Sequence, residues 1–390
     1  MNKRIPYGRQ SISNVEKKLV IKTLSSDFLT QGPLVVKFES LCSDFVDSNY
    51  ALAFNSASSA LLAACKAINI GKNDEVWTSP NTFVATANCV LNCGAKIDFV
   101  DINDRDFCID LDKLELKLFN RKKNSLKLPK AIILVHFAGF VTNLSRVKKL
   151  SKIYKFKIIE DASHAFGSKY DGKSIGNGEY SDICIFSFHP VKIITTGEGG
   201  LITTNSKTLF NQIKLIRDNG INRDKRLFKN HLFKNKPWYY EQLVLGCNYR
   251  MSDIHAAVGL GQIKKISFFL KRRQEISRIY KKELSSLPIK FQNNNTNSLP
   301  SYHLFVIRIN FLLREKFFQF LRKKNIYVNL HYIPVYRFPY YKKFNFKNSL
   351  FPNMESYFRE AISLPIYPGL SKAEQFKVIR LIKNFFKKKN

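Results

Sequence analysis

Apolar and polar positions follow two rhythms along this chain. Short apolar runs at 51–54, 75–78, 96–102, 131–136, 157–160, 182–188 and 201–204 have the length and β-branched or aromatic content of buried strands. Between several of them, apolar residues recur three and four apart, at 57–68, 82–91 and 143–154, which is the period of amphipathic helices. Strands alternating with helices of this length predict an α/β fold, a mostly parallel sheet sandwiched by helices. Ahead of the first run, Ser13 and Glu16 form a capping box that opens a helix, with Val15, Leu19 and Leu24 expected on its inner face. Thr30, Gln31, Gly32 and Pro33 then read as a turn.

The rhythm breaks after Arg217. Residues 218–246 are polar and basic, punctuated by Trp238, Tyr239 and Tyr240, and a segment this long without a period is expected to serve function or contact. Residues 251–284 read as one long helix or two joined ones. Strands at 303–309 and near Val328, with helices at 314–324 and 371–386, predict a smaller α+β unit. The Asn-rich stretch 292–297 reads as a surface loop. The expected organisation is a large α/β domain over 1–260 and a small C-terminal α+β domain over 261–390.

Composition narrows the class. The hydrophobic share of 45% suffices for a core. No apolar stretch approaches the roughly 20 residues that span a bilayer. The N-terminal charges are followed by no apolar core, so no signal peptide is expected. Seven cysteines, an odd number scattered through apolar runs, fit thiols in a reducing cytoplasm better than a disulfide framework. The net charge of +34 comes from lysines spread along the chain in short clusters. It reads as composition bias plus an anionic substrate, ahead of a nucleic-acid role.

Chemistry gathers where apolar runs end. Lys192 lies between the runs at 182–188 and 201–204, after Ser187, Phe188, His189 and Pro190 and before Thr195, Thr196, Gly197, Glu198, Gly199 and Gly200. A lysine on a loop between two buried strands is held on the scaffold, and the glycines permit a turn that presents its amine inward. Upstream, the run at 157–160 ends in Asp161, with His164 three residues on. In an open α/β sheet, ligands gather outside the carboxyl ends of strands. A lysine amine that condenses with an aldehyde and a fixed carboxylate that keeps a pyridine nitrogen protonated are what pyridoxal phosphate needs. Asn55, Ser56, Ala57, Ser58 and Ser59 join a strand to a helix whose free N–H groups suit a phosphate. Phe83 opens the next helix and suits stacking on a flat ring. Alone, each has a plainer reading: Ser and Asn cap helices, Asp161 caps the next helix, His164 satisfies a buried turn, Phe83 is core, and Lys192 is a solvated loop lysine. No dinucleotide fingerprint or nucleophile elbow is present. Cys89 and Cys93 lack the second pair that a metal site requires, so no metal is expected.

Together, Asn-Ser-Ala-Ser-Ser-Ala from Asn55, Glu-Asp-Ala-Ser-His from Glu160, Ser-Phe-His-Pro-Val-Lys from Ser187 and Gly-Cys-Asn-Tyr-Arg-Met from Gly246 resemble the DegT/DnrJ/EryC1/StrS sugar-nucleotide aminotransferases over nearly the whole chain. The resemblance implies the type I fold of pyridoxal-phosphate aminotransferases, with Lys192 as the catalytic lysine that bonds the cofactor. It places Asp161 on the pyridine nitrogen, Phe83 on the ring, His164 by the phenolic oxygen, and Ala57, Ser58 and Ser187 on the phosphate. Asn248 is implied to reach the phosphate from a neighbouring subunit, hence a homodimer. Three further segments, at 6–10, 26–32 and 331–336, resemble the branch serving pseudaminic acid synthesis. That branch aminates C4 of a UDP-linked 2-acetamido-2,6-dideoxy-4-keto-hexose, with glutamate as the usual donor. By this resemblance Tyr7, Asp27, Phe28, Leu29, Thr30, Asn248, His331, Tyr332 and Ile333 line the nucleotide-sugar site. Ile193 stands where many relatives carry proline. Amination of another keto sugar nucleotide, or a non-enzymatic basic binding protein on the same fold, are the other readings; the presence of Lys192 argues against relatives that carry histidine there.

Overall fold

A computed structural model describes residues 4–230, 232–294 and 297–387. Positions 1–3 of the N-terminal segment, the centre of the Asn-rich stretch (295–296) and the lysines at 388 and 389 lie outside the described residues.

The large unit is built on seven strands: β1 (Tyr50–Phe54), β2 (Glu75–Thr78), β3 (Lys96–Phe99), β4 (Ala131–Val135), β5 (Lys157–Asp161), β6 (Ile183–Ser187) and β7 (Gly200–Thr204). Their order across the sheet is β1-β7-β6-β5-β4-β2-β3. All neighbours run parallel except β7, which is antiparallel to both β1 and β6. The sheet is therefore mostly parallel, as expected, and β7 is the exception because the loop 188–199, with no crossover helix, returns the chain directly from β6. Side chains alternate across the strands. Ala131, Ile133 and Val135 enter one core with Ile159 and Ile185, while Ile132 and Leu134 enter the opposite core with Ile158 and Phe186. Burial on both faces explains why these strands read as continuous apolar runs.

Among the described residues, twelve α-helices cover this sheet and build the second unit, the first being α1 (Asn14–Leu24) and α2 (Pro33–Val46). The α1 capping box forms between Ser13 and Glu16. Its inner face is the expected one only in part: Leu19 packs against the core, but Glu16 and Thr23 are buried, whereas Val15 and Leu24 are exposed. Glu16 faces inward because Gln262 donates to it at 2.7 Å and the Lys265 ammonium pairs with it. α2, which no reading of the periodicity separated, starts with Pro33 in its first turn and buries Val35, Phe38, Cys42 and Val46. Then come α3 (Ala57–Ala67), α4 (Ala85–Asn92), α5 (Leu111–Lys123), α6 (Leu144–Tyr154) and α7 (Lys207–Arg217). The expected helix at 82–91 begins three residues late, and the strand at 96–102 stops at Phe99.

The segment 218–246 contains a two-stranded ribbon, Ile221–Asn222 with Glu241–Gln242. Residues 251–284 are two helices, α8 (Asp253–Ile263) and α9 (Ile266–Leu284). A three-stranded antiparallel sheet, with Phe305–Arg308 between Lys290–Phe291 and Ala361–Leu364, forms the second unit with α10 (Phe311–Lys323), α11 (Pro352–Glu360) and α12 (Lys372–Lys387). Its core gathers Ile276, Tyr280, Phe305, Phe317, Ile362 and Ile379, and takes Ile5 from the N-terminus, where Ile5–Pro6 pairs with Ile326–Tyr327. Within the Asn-rich stretch, Gln292 is buried rather than on the surface: its amide donates to the Asp106 carbonyl at 2.5 Å. All seven cysteines are free. Among the described residues no helix is long and apolar enough to cross a membrane, and no three His, Cys, Asp or Glu are placed to hold a metal ion.

Candidate active site

The parallel strands end along one edge, and loops leaving that edge carry most of the expected residues. β5 ends in Asp161, which is buried. Alternation turns Asp161 to one face and Glu160 to the other, where Glu160 holds His136 at 2.6 Å. The Asp161 carboxylate accepts from the Thr86 hydroxyl at 2.6 Å and from the Ser163 N–H at 3.2 Å. Thr86 in turn shares a hydrogen bond of 2.7 Å with Thr82. The helix that follows Phe83 thus fixes the carboxylate that β5 delivers.

Lys192 is half-buried on the loop after β6, its backbone N–H bonded to the His189 carbonyl at 2.9 Å. Burial lowers its amine to about 8, and the charge of Asp161 opposes that shift. An appreciable share of the amine is therefore neutral and nucleophilic at pH 7 to 8.

A cradle of backbone amides lies two strands away. Ser56 caps α3 by accepting from the Ser59 N–H at 3.2 Å, and the Ala57 and Ser58 amides lead the helix, where such groups point out of its end. Gly200, which opens β7, pairs with Phe54 on one side and Ser187 on the other. A Cβ on Gly200 would lie 2.6 Å from the Ala57 nitrogen. Only glycine lets the strand approach the helix end this closely, and this brings Ala57 beside Ser187.

The wall opposite Lys192 comes partly from the second unit. The His164 ring accepts the Ala138 N–H at Nδ1 (3.1 Å), and its Nε2 lies 3.1 Å from the Tyr332 hydroxyl. His331 is buried and bonded through Nδ1 to the Ser363 hydroxyl at 2.8 Å; its ring lies 4.9 Å from that of Tyr7. Burial, then the charge of Lys192, lowers His331 to about 3, and His164 is likewise pushed far below the usual histidine range. Burial raises the Tyr332 and Tyr7 phenols, which keep their protons. Phe83 is 58% exposed with its ring 6.2 Å from that of Tyr332, so an aromatic face is left open at the mouth.

The groups that pyridoxal phosphate requires are thus present together: an accessible amine, a fixed carboxylate, free helix-end amides and an open aromatic face. The family model of the DegT/DnrJ/EryC1/StrS aminotransferases matches residues 10–383. The chain belongs to that family. It is 37% identical over 371 residues, 94% of this chain and 93% of the relative, to the UDP-4-amino-4,6-dideoxy-N-acetyl-β-L-altrosamine transaminase of Campylobacter jejuni strain 81-176. Its structure is similar to Helicobacter pylori PseC, an aminotransferase involved in the biosynthesis of pseudoaminic acid, with a TM-score of 0.88, 31% identity and coverage of 99% of this chain and 100% of that one. The PLP form of Spr1654 from Streptococcus pneumoniae also superposes, with a TM-score of 0.88, 26% identity and 99% coverage of both chains. As a member of this family, the protein is a pyridoxal-phosphate-dependent sugar aminotransferase that acts on a nucleotide sugar.

The remaining expected residues are placed less centrally. Asp27, Phe28, Leu29 and Thr30 are exposed, and the bonds that fix their segment run to the start of α8: Thr30 bridges Ser252, and the Leu29 carbonyl accepts from the Asp253 N–H at 2.9 Å. Asn248 is exposed on a bridge to Asp218, and Ile333 is exposed beside Tyr332. Thr86 is a site residue that no motif announced, and Gly200, expected to help turn the Lys192 amine inward, also lets β7 approach the helix end. Thr82 and Thr86 stand four apart, a helical hydrogen-bonding pair, and that spacing was the only trace of the carboxylate support in the sequence.

Proposed function

We propose that this aminotransferase transfers the amino group of glutamate to C4 of UDP-2-acetamido-2,6-dideoxy-β-L-arabino-hexos-4-ulose, giving the 4-amino sugar nucleotide for pseudaminic acid synthesis. The observation that carries this reading is the joining of the Lys192–Asp161 pair to a wall of Tyr7, His331 and Tyr332. The first two supply amine-transfer chemistry, and the wall offers phenol and imidazole groups to a sugar. The 37% identity to the altrosamine transaminase supports the choice of sugar.

Ala57, Ser58 and Ser187 would hold the cofactor phosphate, Phe83 would cover its ring and Asp161 would hold a proton at the pyridine nitrogen. When bound, pyridoxal phosphate supplies an electron sink for charge developing at the carbon beside the amine. Lys192, in part neutral near pH 8, takes the donor Cα proton as base and returns it as acid. The same lysine runs the reverse steps on the keto sugar. His331, Tyr332 and Ile333, with Tyr7, orient that sugar.

We further infer a cytoplasmic homodimer in which the partner's copies of the 27–30 segment and of Asn248 complete each nucleotide-sugar site. Their exposure and their common anchoring beside α8 and α7 favour this reading.

The test offers the loaded enzyme and glutamate the L-arabino and D-xylo epimers of the UDP-linked 4-keto-6-deoxy-N-acetyl sugar, with products read by mass spectrometry and NMR. Amination at C4 of the L-arabino epimer is the expected result. Preference for the D-xylo epimer, or turnover of neither, would overturn the substrate assignment.

A further inference from the structure

Histidines crowd the back of the pocket, and His303 among them has no assigned task. It lies just before the Phe305–Arg308 strand and is buried. Its ring centre is 4.3 Å from that of His164, the planes tilted by 46°. The His303 N–H donates to the Ala138 carbonyl at 3.0 Å, while the Ala138 N–H donates to His164 Nδ1 at 3.1 Å. Ala138 holds φ at 60°, in the left-handed region, so both its polar groups are committed to this pair of histidines.

Behind His303 lies Arg273 of α9, fully buried. One of its terminal nitrogens donates to the carbonyls of Tyr302, His303 and Ile366, each at 3.1 Å. Its Nε and other terminal nitrogen have no partner among the described residues, and neither does His303 Nδ1. Leaving such groups unpaired costs about 1–3 kcal/mol each.

Donor and acceptor counting supplies the task. A neutral imidazole has one donor and one acceptor. With Nδ1 accepting from Ala138, His164 carries its proton on Nε2 and donates to the Tyr332 oxygen. A charged His164 would set a second N–H against the Ala138 N–H, and that bond would be lost. Burial opposes this charge first and the charge of Lys192 second. Asp161 is the acidic group on this side, and it is occupied by Thr86. Tyr332 and Tyr7 are phenols that stay protonated. Water is the remaining means of stabilising a charged His164, and the His303 ring, itself buried, packs against His164 at 4.3 Å.

We propose that His303 is a positioning residue of the active site: its ring, packed on His164 and backed by Arg273, keeps water away so that His164 remains an uncharged Nε2–H donor. Burial and the nearby charges act in the same direction, holding His164 far below its ordinary range. The reacting groups then meet a donor that does not change state across the working pH range, which a free histidine would not provide.

The test is 15N NMR of the histidine-labelled holoenzyme between pH 5.5 and 8.5, with wild type, His303→Ser and His303→Phe compared. Wild-type His164 is expected as a neutral Nε2–H tautomer throughout. His303→Ser admits water, so His164 titrates toward its ordinary value, and kcat falls about tenfold at pH 5.5, one unit below about 6.5. His303→Phe restores the wall and keeps both the wild-type nitrogen signature and the flat pH profile. A wild-type His164 that titrates near 6.5 or carries its proton on Nδ1 overturns the proposal. So does a His303→Ser enzyme whose His164 stays neutral, or a His303→Phe enzyme as impaired as His303→Ser. If His303→Ser fails to fold, the wild-type tautomer and the His303→Phe profile decide the matter. The nitrogen signals are read without substrate, so an error in the sugar assignment leaves this test standing.

Discussion

Lys192 owes its reactivity to burial and to one neighbour, which act in opposite directions. Burial drives its amine down to about 8, and Asp161 restrains the fall. The free amine should therefore bond the cofactor faster as pH rises, with a midpoint near 8 in the rate at which stripped protein regains its visible absorbance. A midpoint above 10 would show an ordinary, solvated lysine. Asp161→Asn keeps the shape and removes the charge that holds the pyridine proton, so kcat should fall about 100- to 1,000-fold while the protein still folds. A loss under tenfold would deny the carboxylate that role. Lys192 and Asp161 were legible in the sequence because each ends or follows an apolar run, and strand ends are where such sheets place ligands. Thr86 was not, since a threonine inside a helix has no chemical signature until a carboxylate is placed against it.

Helix ends and strand ends carry the next layer. The capping box of α1 could be read from Ser13 and Glu16, but the face that the helix buries could not. Glu16 was expected to serve the cap; it also pairs with Lys265 and Gln262 from the α8–α9 junction. Burial alone would raise its carboxyl, and the bonds from Lys265 and Ser13 outweigh that, lowering it from 4.5 to about 2. A carboxyl depressed on folding stabilises the fold above its unfolded value and loses that contribution as pH falls from 4.5 through about 2. Glu16→Gln should cost about 2 kcal/mol at pH 7, with the difference from wild type vanishing near pH 2, as read by urea denaturation. An equal cost at both pH values would assign the effect to packing alone. Where β7 begins, Gly200→Ala would set a methyl 2.6 Å from the Ala57 nitrogen. The resulting strain of about 1–3 kcal/mol should weaken cofactor binding about tenfold or more in an absorbance titration. Wild-type affinity in that variant would show that the cradle yields without cost.

At the scale of the molecule, exposed apolar residues cluster on the elements that would face a second copy. Ile12, Val15, Ile21 and Leu24 lie on and before α1, Phe28 and Leu29 follow it, and Leu232, Trp238 and Leu245 belong to the long basic segment. A cavity of about 500 Å³ lined by Ile12, Val20, Ile21, Pro190 and Val258 joins α1 to the loop that carries Lys192. If two copies share each site, mixing inactive Lys192→Ala with inactive Asn248→Asp chains should restore about one quarter of wild-type activity, because half the dimers are mixed and each has one intact site. No recovery after verified subunit exchange would place each site within a single chain. The charge is also uneven at this scale: residues 261–390 hold 27 Lys and Arg against 6 Glu and no Asp. This C-terminal third of the chain therefore carries most of the net positive charge available to draw in an anionic substrate.

The sequence by itself determined the alternation of strands and helices, the capping box, and the two residues that anchor the chemistry. Those features are written in local period and in short motifs, whose physics acts within a few residues. Tertiary structure alone decided which face of α1 is buried, that Gln292 lies inside, and that Thr86 orients Asp161. It also brought His164, His303, His331 and Tyr332 together from segments up to 168 residues apart. Such contacts depend on how apolar faces stack around two cores and a third, and a one-dimensional pattern shows which faces are apolar without showing what they meet.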